Sequence, residues 1–134
     1  MATLTVPEGA TDILDHDTAA SQALVSTSGA TYLDAFAGVT LVPPVDGTYL
    51  IIFEAQVEGT NNGTETQIAI GLNSTSAAET GSERISEGNT FTSLVCTHVA
   101  ALVTTDDISG IFRNNSGAGT SNVTDRRMTM VRVG

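Results

Sequence analysis

Lysine is absent from this chain, tryptophan is absent, and cysteine occurs once. Each shortage excludes something. With no lysine and only five arginines against fifteen acids, the formal net charge is -10. Such a chain lacks the basic stripe that phosphate backbones and anionic membrane surfaces select. Nucleic acid and membrane are therefore not expected partners. A single cysteine, Cys96, allows no internal disulfide. It lies in an apolar run and reads as a small buried hydrophobe. Aromatic residues make up only 4% of the chain, which counts against stacking on sugar rings. No apolar run approaches the roughly 20 residues of a membrane-spanning helix. The first residues lack the basic and apolar regions of a secretory signal, so the four Asn-x-Ser/Thr triplets at Asn62, Asn73, Asn114 and Asn122 read as chance.

What is present is a 134-residue chain with 40% apolar residues, enough for one core and too short for two. Its charge is partitioned. Residues 1–83 carry eleven acids and no base, whereas residues 84–134 carry all five arginines and four acids. No window has a helical period. Short, alternating, β-branched runs are separated by Gly, Asn, Asp and Ser clusters, the pattern of an all-β domain.

The runs expected as strands are Thr48–Glu58, Thr66–Asn73, Thr92–Val103, Ile108–Asn114 and Ser121–Val133, with a short edge strand near Glu83–Ser86. Weaker signals occur at Ala23–Ser26, Tyr32–Phe36 and Val39–Val42. The Asn62-Gly63 step between the first two strong runs is a hairpin signal, and the late strands are expected to pair as hairpins. Thr66–Asn73 alternates cleanly, with Ile68, Ile70 and Leu72 inward and Gln67, Ala69, Gly71 and Asn73 toward solvent. Thr92–Val103 is apolar on both faces, which calls for cover on both sides. Residues 1–20 have little periodicity and are expected to form an extended arm, followed by one jelly-roll β-sandwich over residues 21–134.

Three segments carry a family resemblance. Asp46-Gly47-Thr48-Tyr49-Leu50-Ile51-Ile52-Phe53-Glu54-Ala55 resembles the Pro-Gly-x-Tyr-x-Phe strand of the complement globular-head and tumour-necrosis-factor-like jelly rolls. Val99 through Ile108 resembles their apolar strand followed by a Gly-Asp step, with Asp106 where glycine is usual. Met128 through Gly134 resembles their closing strand. The resemblance spans roughly residues 38–134. It implies a ten-stranded sandwich that forms a homotrimer, the inner sheet packing about the three-fold axis. The two-faced strands lie where that family has inner-sheet strands, which puts Leu50, Ile52, Val95, Val99 and Val131 at the expected trimer interface.

The chemistry-bearing residues are sparse. Asp12-x-x-Asp15-His16-Asp17 offers oxygen donors without the spacing of a calcium loop and reads as a solvated turn. His98 lies in an apolar strand as a core or interface histidine, with no second histidine in the same half. Glu54 and Glu58 share one strand face, without the opposed cleft a glycosidase needs. Arg126 and Arg127 point to opposite faces and are expected to ion-pair with the acidic section or across subunits. No catalytic, cofactor or metal site is expected, and the chain is read as a non-enzyme.

The expected function is structural: a trimeric decoration, or cement, protein on the outer capsid surface of a tailed bacteriophage, a setting in which this jelly-roll family occurs. The expected partners are the chain itself and the major capsid protein. A shaft has no room in a chain of this length, which disfavours a fibre tip. The arm, through Leu4, Val6, Glu8, Asp12, Asp15 and Asp17, is expected to dock on the capsid. The alternative is a receptor- or glycan-binding head of a phage fibre or tail protein, presenting Tyr32, Tyr49 and loops 59–65, 74–90 and 114–120.

Overall fold

A computed structural model describes residues 23–36, 40–73 and 84–134 of the chain. These residues form eight strands: β1 (Val25–Thr27), β2 (Leu33–Asp34), β3 (Gly47–Gly59), β4 (Glu65–Leu72), β5 (Arg84–Glu87), β6 (Thr92–Leu102), β7 (Ile108–Asn114) and β8 (Ser121–Arg132). All pairings between them are antiparallel. The first sheet has the order β1-β8-β3-β6 and the second the order β2-β7-β4-β5. Ten strands were implied by the family resemblance; the described residues supply eight.

The core fills the space between the two sheets. Alternate residues of β3 (Tyr49, Ile51, Phe53, Ala55, Val57) meet Ile68 and Ile70 of β4 and Ile108 and Phe112 of β7. Cys96, Met128 and Met130 complete the same cluster. The strands align with the period-2 pattern because one inward face per strand is enough to build this layer. Phe36 and Phe53 pack with ring centroids 5.6 Å apart at a tilt of 57°. Gly110 makes that contact possible, since a Cβ there would lie 2.5 Å from the Phe36 ring and 2.8 Å from the Phe53 ring. Tyr49, inward and apolar for most of its length, donates its hydroxyl to the Val45 carbonyl at 2.8 Å.

The described strands do not build the sheets from hairpins, contrary to expectation. Among them only β4 and β5 are both consecutive and paired; the other consecutive strands lie in different sheets. The turn containing Asn62-Gly63 carries the chain from β3 in one sheet to β4 in the other. Asn61 redirects it: its side-chain oxygen accepts from the Gly63 amide (3.1 Å) and the Thr64 hydroxyl (3.0 Å). An Asx turn of this kind bends the backbone without setting strand register. Thr60 and Thr120 then tie the turn to the β7–β8 loop, through a backbone bond of 3.0 Å and a bond from the Thr120 amide to the Thr60 hydroxyl of 2.8 Å.

The weaker strand signals shrink. Tyr32–Phe36 supplies the two-residue β2, and a turn follows because the Asp34 carboxylate accepts from the Phe36 amide at 2.7 Å. Of Val39–Val42, Val39 lies outside the described residues and Leu41 makes an isolated bridge to Ile108. Ala23–Ser26 becomes Val25–Thr27, in register with Ser121–Val123 of β8.

A second departure lies in β8. Its pairing with β3 shifts between Glu54 and Gln56, so two β8 residues, Asp125 and Arg126, occupy the space opposite Ala55. This is a β-bulge, and Asp125 takes a left-handed conformation there (φ 44°). The bulge switches the strand's parity. Ser121 and Val123 point inward before it, and Arg126, Met128 and Met130 are buried after it.

Candidate interface on the outer face of the first sheet

The five residues expected at an interface come together on one surface. Register places Leu50 of β3 between Val99 of β6 and Val131 of β8. Ile52 lies one step along, between Thr97 and Thr129, and Val95 lies opposite Glu54 on the next. All five project from the side of the first sheet away from the core, because β3 alternates with Tyr49, Ile51 and Phe53 inward. Val95 and Val99 are 46% and 57% exposed. Leu50, Ile52 and Val131, in the two central strands, are half-buried by their neighbours. Val103 and Val133, at the end of the sheet nearest Leu50, are also exposed. The second apolar face of β6, expected to be covered, is left largely exposed by the described residues.

The face becomes polar along β3. Glu54 pairs with Arg127 of β8, with the Arg127 Nη1 at 3.8 Å from Glu54 Oε1. Gln56 and Glu58 continue the outward row, and Glu58 Oε2 accepts from the Asn122 amide at 3.4 Å. A shallow depression of about 110 Å³ opens beside the pair, lined by Glu54, Ala55, Ser93, Leu94, Val95 and Asp125. The two consecutive arginines part as expected from the strand pleat, Arg127 outward and Arg126 inward. The Arg126 guanidinium donates to the carbonyls of Ala23 (2.5 Å) and Val123 (3.0 Å) and lies 5.9 Å from the Phe36 ring centre. Desolvation lowers its pKa from the ordinary arginine value, opposed by the carboxylates of Asp125 and Asp34.

The outer face of the second sheet reverses the expectation for Thr66–Asn73. Gln67, Ala69 and Gly71, expected in solvent, are buried. Ala69 and Ile111 form a small apolar cluster with Tyr32 on that face. Arg113 closes it, with its guanidinium 4.5 Å from the centre of the Tyr32 ring and its Nε donating to Gln67 Oε1 at 2.7 Å. Small residues on the central strand leave room for larger groups to lie across them, and periodicity does not register that. Tyr32 and Tyr49 are both buried, which removes them from the recognition surface considered for a binding head.

Loops 59–65 and 114–120 meet at one end of the sandwich. Buried Asn114 organises the second, its amide donating to the carbonyls of Ala118 and Gly119, both at 3.0 Å. At the opposite end Asp106 accepts from the Val103 amide (2.7 Å) and the Asn73 side chain (2.8 Å), and these two bonds hold its pKa below the ordinary carboxylate value. Asn73, at φ 57°, accepts in turn from the Asp107 amide at 2.8 Å. Sequence reasoning did not single out this clasp; the only cue was a run of turn-forming residues at each position.

Cys96 is buried against the core and His98 is half-buried on the inward side of β6. Among the described residues no three His, Cys, Asp or Glu side chains group as metal ligands. The arm residues Leu4, Val6, Glu8, Asp12, Asp15 and Asp17, and loop 74–83, lie outside the described residues.

No protein-family model and no curated protein matches the chain. Among solved structures it is similar to the Eiger tumour necrosis factor of S. frugiperda, at 12% identity over 90% of each chain with a TM-score of 0.57. A carbohydrate-binding module of Cellvibrio mixtus lichenase 5A, solved with cellotriose, aligns at 19% identity over 77% of this chain and 71% of its own, with a TM-score of 0.40. At such identities the likeness speaks for architecture alone: the chain is an all-β jelly-roll sandwich.

Proposed function

We propose that this chain is a non-enzymatic structural protein that assembles as a homotrimer through the outer face of the β1-β8-β3-β6 sheet. The observation that carries the reading is the apolar surface formed by Leu50, Ile52, Val95, Val99 and Val131 on a single sheet, which the described residues leave partly exposed. Soluble chains rarely leave a contiguous apolar patch of this kind bare, and cyclic self-association covers it in every copy at once. The tumour-necrosis-factor-like resemblance implies burial of the corresponding sheet about a three-fold axis.

The assembled protein, in this reading, decorates the outer surface of a tailed-phage capsid. The arm over residues 1–20 docks on the major capsid protein, and its acids (Glu8, Asp12, Asp15 and Asp17) meet basic capsid side chains. Cosedimentation with capsids that lack the protein tests this. The full chain is expected to pellet with the particles, and a chain lacking residues 1–20 to keep its assembled mass and stay in the supernatant. Equal occupancy by both would reject the arm's role. Failure of the full chain to bind any capsid, together with retention on a host cell surface or a glycan array, would support a receptor-binding head instead.

A further inference from the structure

We propose that Asn62 is a site of spontaneous modification, in which the Gly63 main-chain nitrogen displaces the Asn62 side-chain amide and leaves a new carboxylate on the β3–β4 turn, and that Asn61 acts as its brake. The step needs no enzyme and no co-reactant but water. The Gly63 nitrogen gives up its proton and bonds to Asn62 Cγ. The Cγ–Nδ2 bond breaks, ammonia leaves with that proton, and a five-membered imide ring remains. Water then opens the ring. Opening at Cγ gives aspartate. Opening at the main-chain carbonyl carbon gives isoaspartate, with the chain rerouted through the former side chain.

The surroundings of Asn62 favour the attack. Asn62 and Gly63 are both exposed, between the end of β3 at Gly59 and the start of β4 at Glu65, so neither belongs to a sheet ladder. The Gly63 nitrogen has no side chain beside it, and a Cβ placed there would meet only Asn61 Oδ1, at 3.8 Å. The hydrogen bonds that shape the turn come from Thr60, Asn61 and Thr64, and none uses the Asn62 side chain. Other asparagines are held. Asn73 donates to Asp106, Asn115 to Glu65 and Asn122 to Glu58, while buried Asn114 donates to two carbonyls. Asn89 is exposed but precedes Thr90, whose branched side chain crowds the attacking nitrogen.

The brake is the Asn61 side chain. Its Oδ1 accepts from the Gly63 amide at 3.1 Å, which keeps the proton on the nitrogen that must lose it. The same oxygen accepts from the hydroxyl of buried Thr64 at 3.0 Å, which fixes its position. The Gly63 bond is exposed to solvent, so it opens and closes without unfolding the sandwich. Isoaspartate would lengthen the main chain by one carbon between Asn61 and Gly63, the stretch these two bonds span. The ladders of β3 and β4 lie outside it.

Ageing the folded full chain at mildly alkaline pH, followed by peptide mapping with mass spectrometry that separates aspartate from isoaspartate, tests the proposal. Asn62 is expected to convert before every other asparagine, and faster as pH rises. Gly63→Ala, which the open space around Gly63 accommodates, is expected to slow conversion by about tenfold or more through crowding at the nitrogen. Asn61→Ala is expected to speed it severalfold while the circular dichroism spectrum of the chain stays that of the parent. Asn62 that stays intact in the folded chain but converts in denaturant would overturn the site, and so would earlier conversion at Asn89. An Asn61→Ala chain that folds as the parent does and converts at the parental rate would overturn the brake.

Discussion

The two sheets of this sandwich present opposite faces to their surroundings. Among the described residues, the apolar end of the outer side of β1-β8-β3-β6 is left uncovered, with Val99 more than half exposed. The outer side of β2-β7-β4-β5 reads as half polar in sequence, yet Gln67, Ala69 and Ile111 on it are buried. The difference separates two properties that alternation in a sequence runs together: which way a side chain points, and whether anything lies over it. On the second sheet the cover comes from the same chain, through Tyr32 and the Arg113–Gln67 bond. On the first sheet nothing among the described residues covers Val95 or Val99, and a second copy is the cover proposed.

That contrast can be broken from either side. The largest effect is expected on the second sheet, where Ile111→Glu would bury a carboxylate opposite Asp34. It should cost about 4 kcal/mol or abolish folding, measured by chemical denaturation. Arg113→Met is milder. It removes the cation over Tyr32 and leaves the buried Gln67 oxygen without its donor, for a loss of about 1–2 kcal/mol by the same measurement. On the first sheet Val99→Glu should change the unfolding free energy of the isolated chain by less than about 0.5 kcal/mol while preventing assembly. The smallest effect belongs to the end clasp. Because Asp106 has a lowered pKa in the folded chain, its stabilising contribution is present above the ordinary carboxylate value of 3.8 and is lost as pH falls through the lowered one. Asp106→Asn should therefore be less stable than the parent at neutral pH, with the gap closing in acid.

Much of the fold was legible because period-2 alternation is strong in long strands. β3, β4, β6, β7 and β8 fall within about two residues of the runs read from sequence. The five outer-face residues of the first sheet could be grouped for the same reason: strands of fixed parity keep their faces. The misses have local causes. Asn62-Gly63 looks like a hairpin, but the Asn61 side chain and the Thr60–Thr120 bonds steer the chain into the other sheet. The β8 bulge flips the parity of one strand at Asp125, and no pattern within a single strand announces that the partner strand is one residue short. The cover over Ala69 depends on Tyr32, 37 positions earlier in the sequence. The Asp106–Asn73 clasp likewise joins residues 33 positions apart.

The central claim is that the apolar face of the first sheet is a surface between copies. Light scattering coupled to size exclusion, on the parent chain and on Val99→Glu at micromolar concentration, tests it most directly. The expected result is a mass of three chains for the parent, and a mass of one chain with an unchanged circular dichroism spectrum for the variant. A parent mass of one chain, 13.8 kDa, or a variant that remains trimeric, would contradict it.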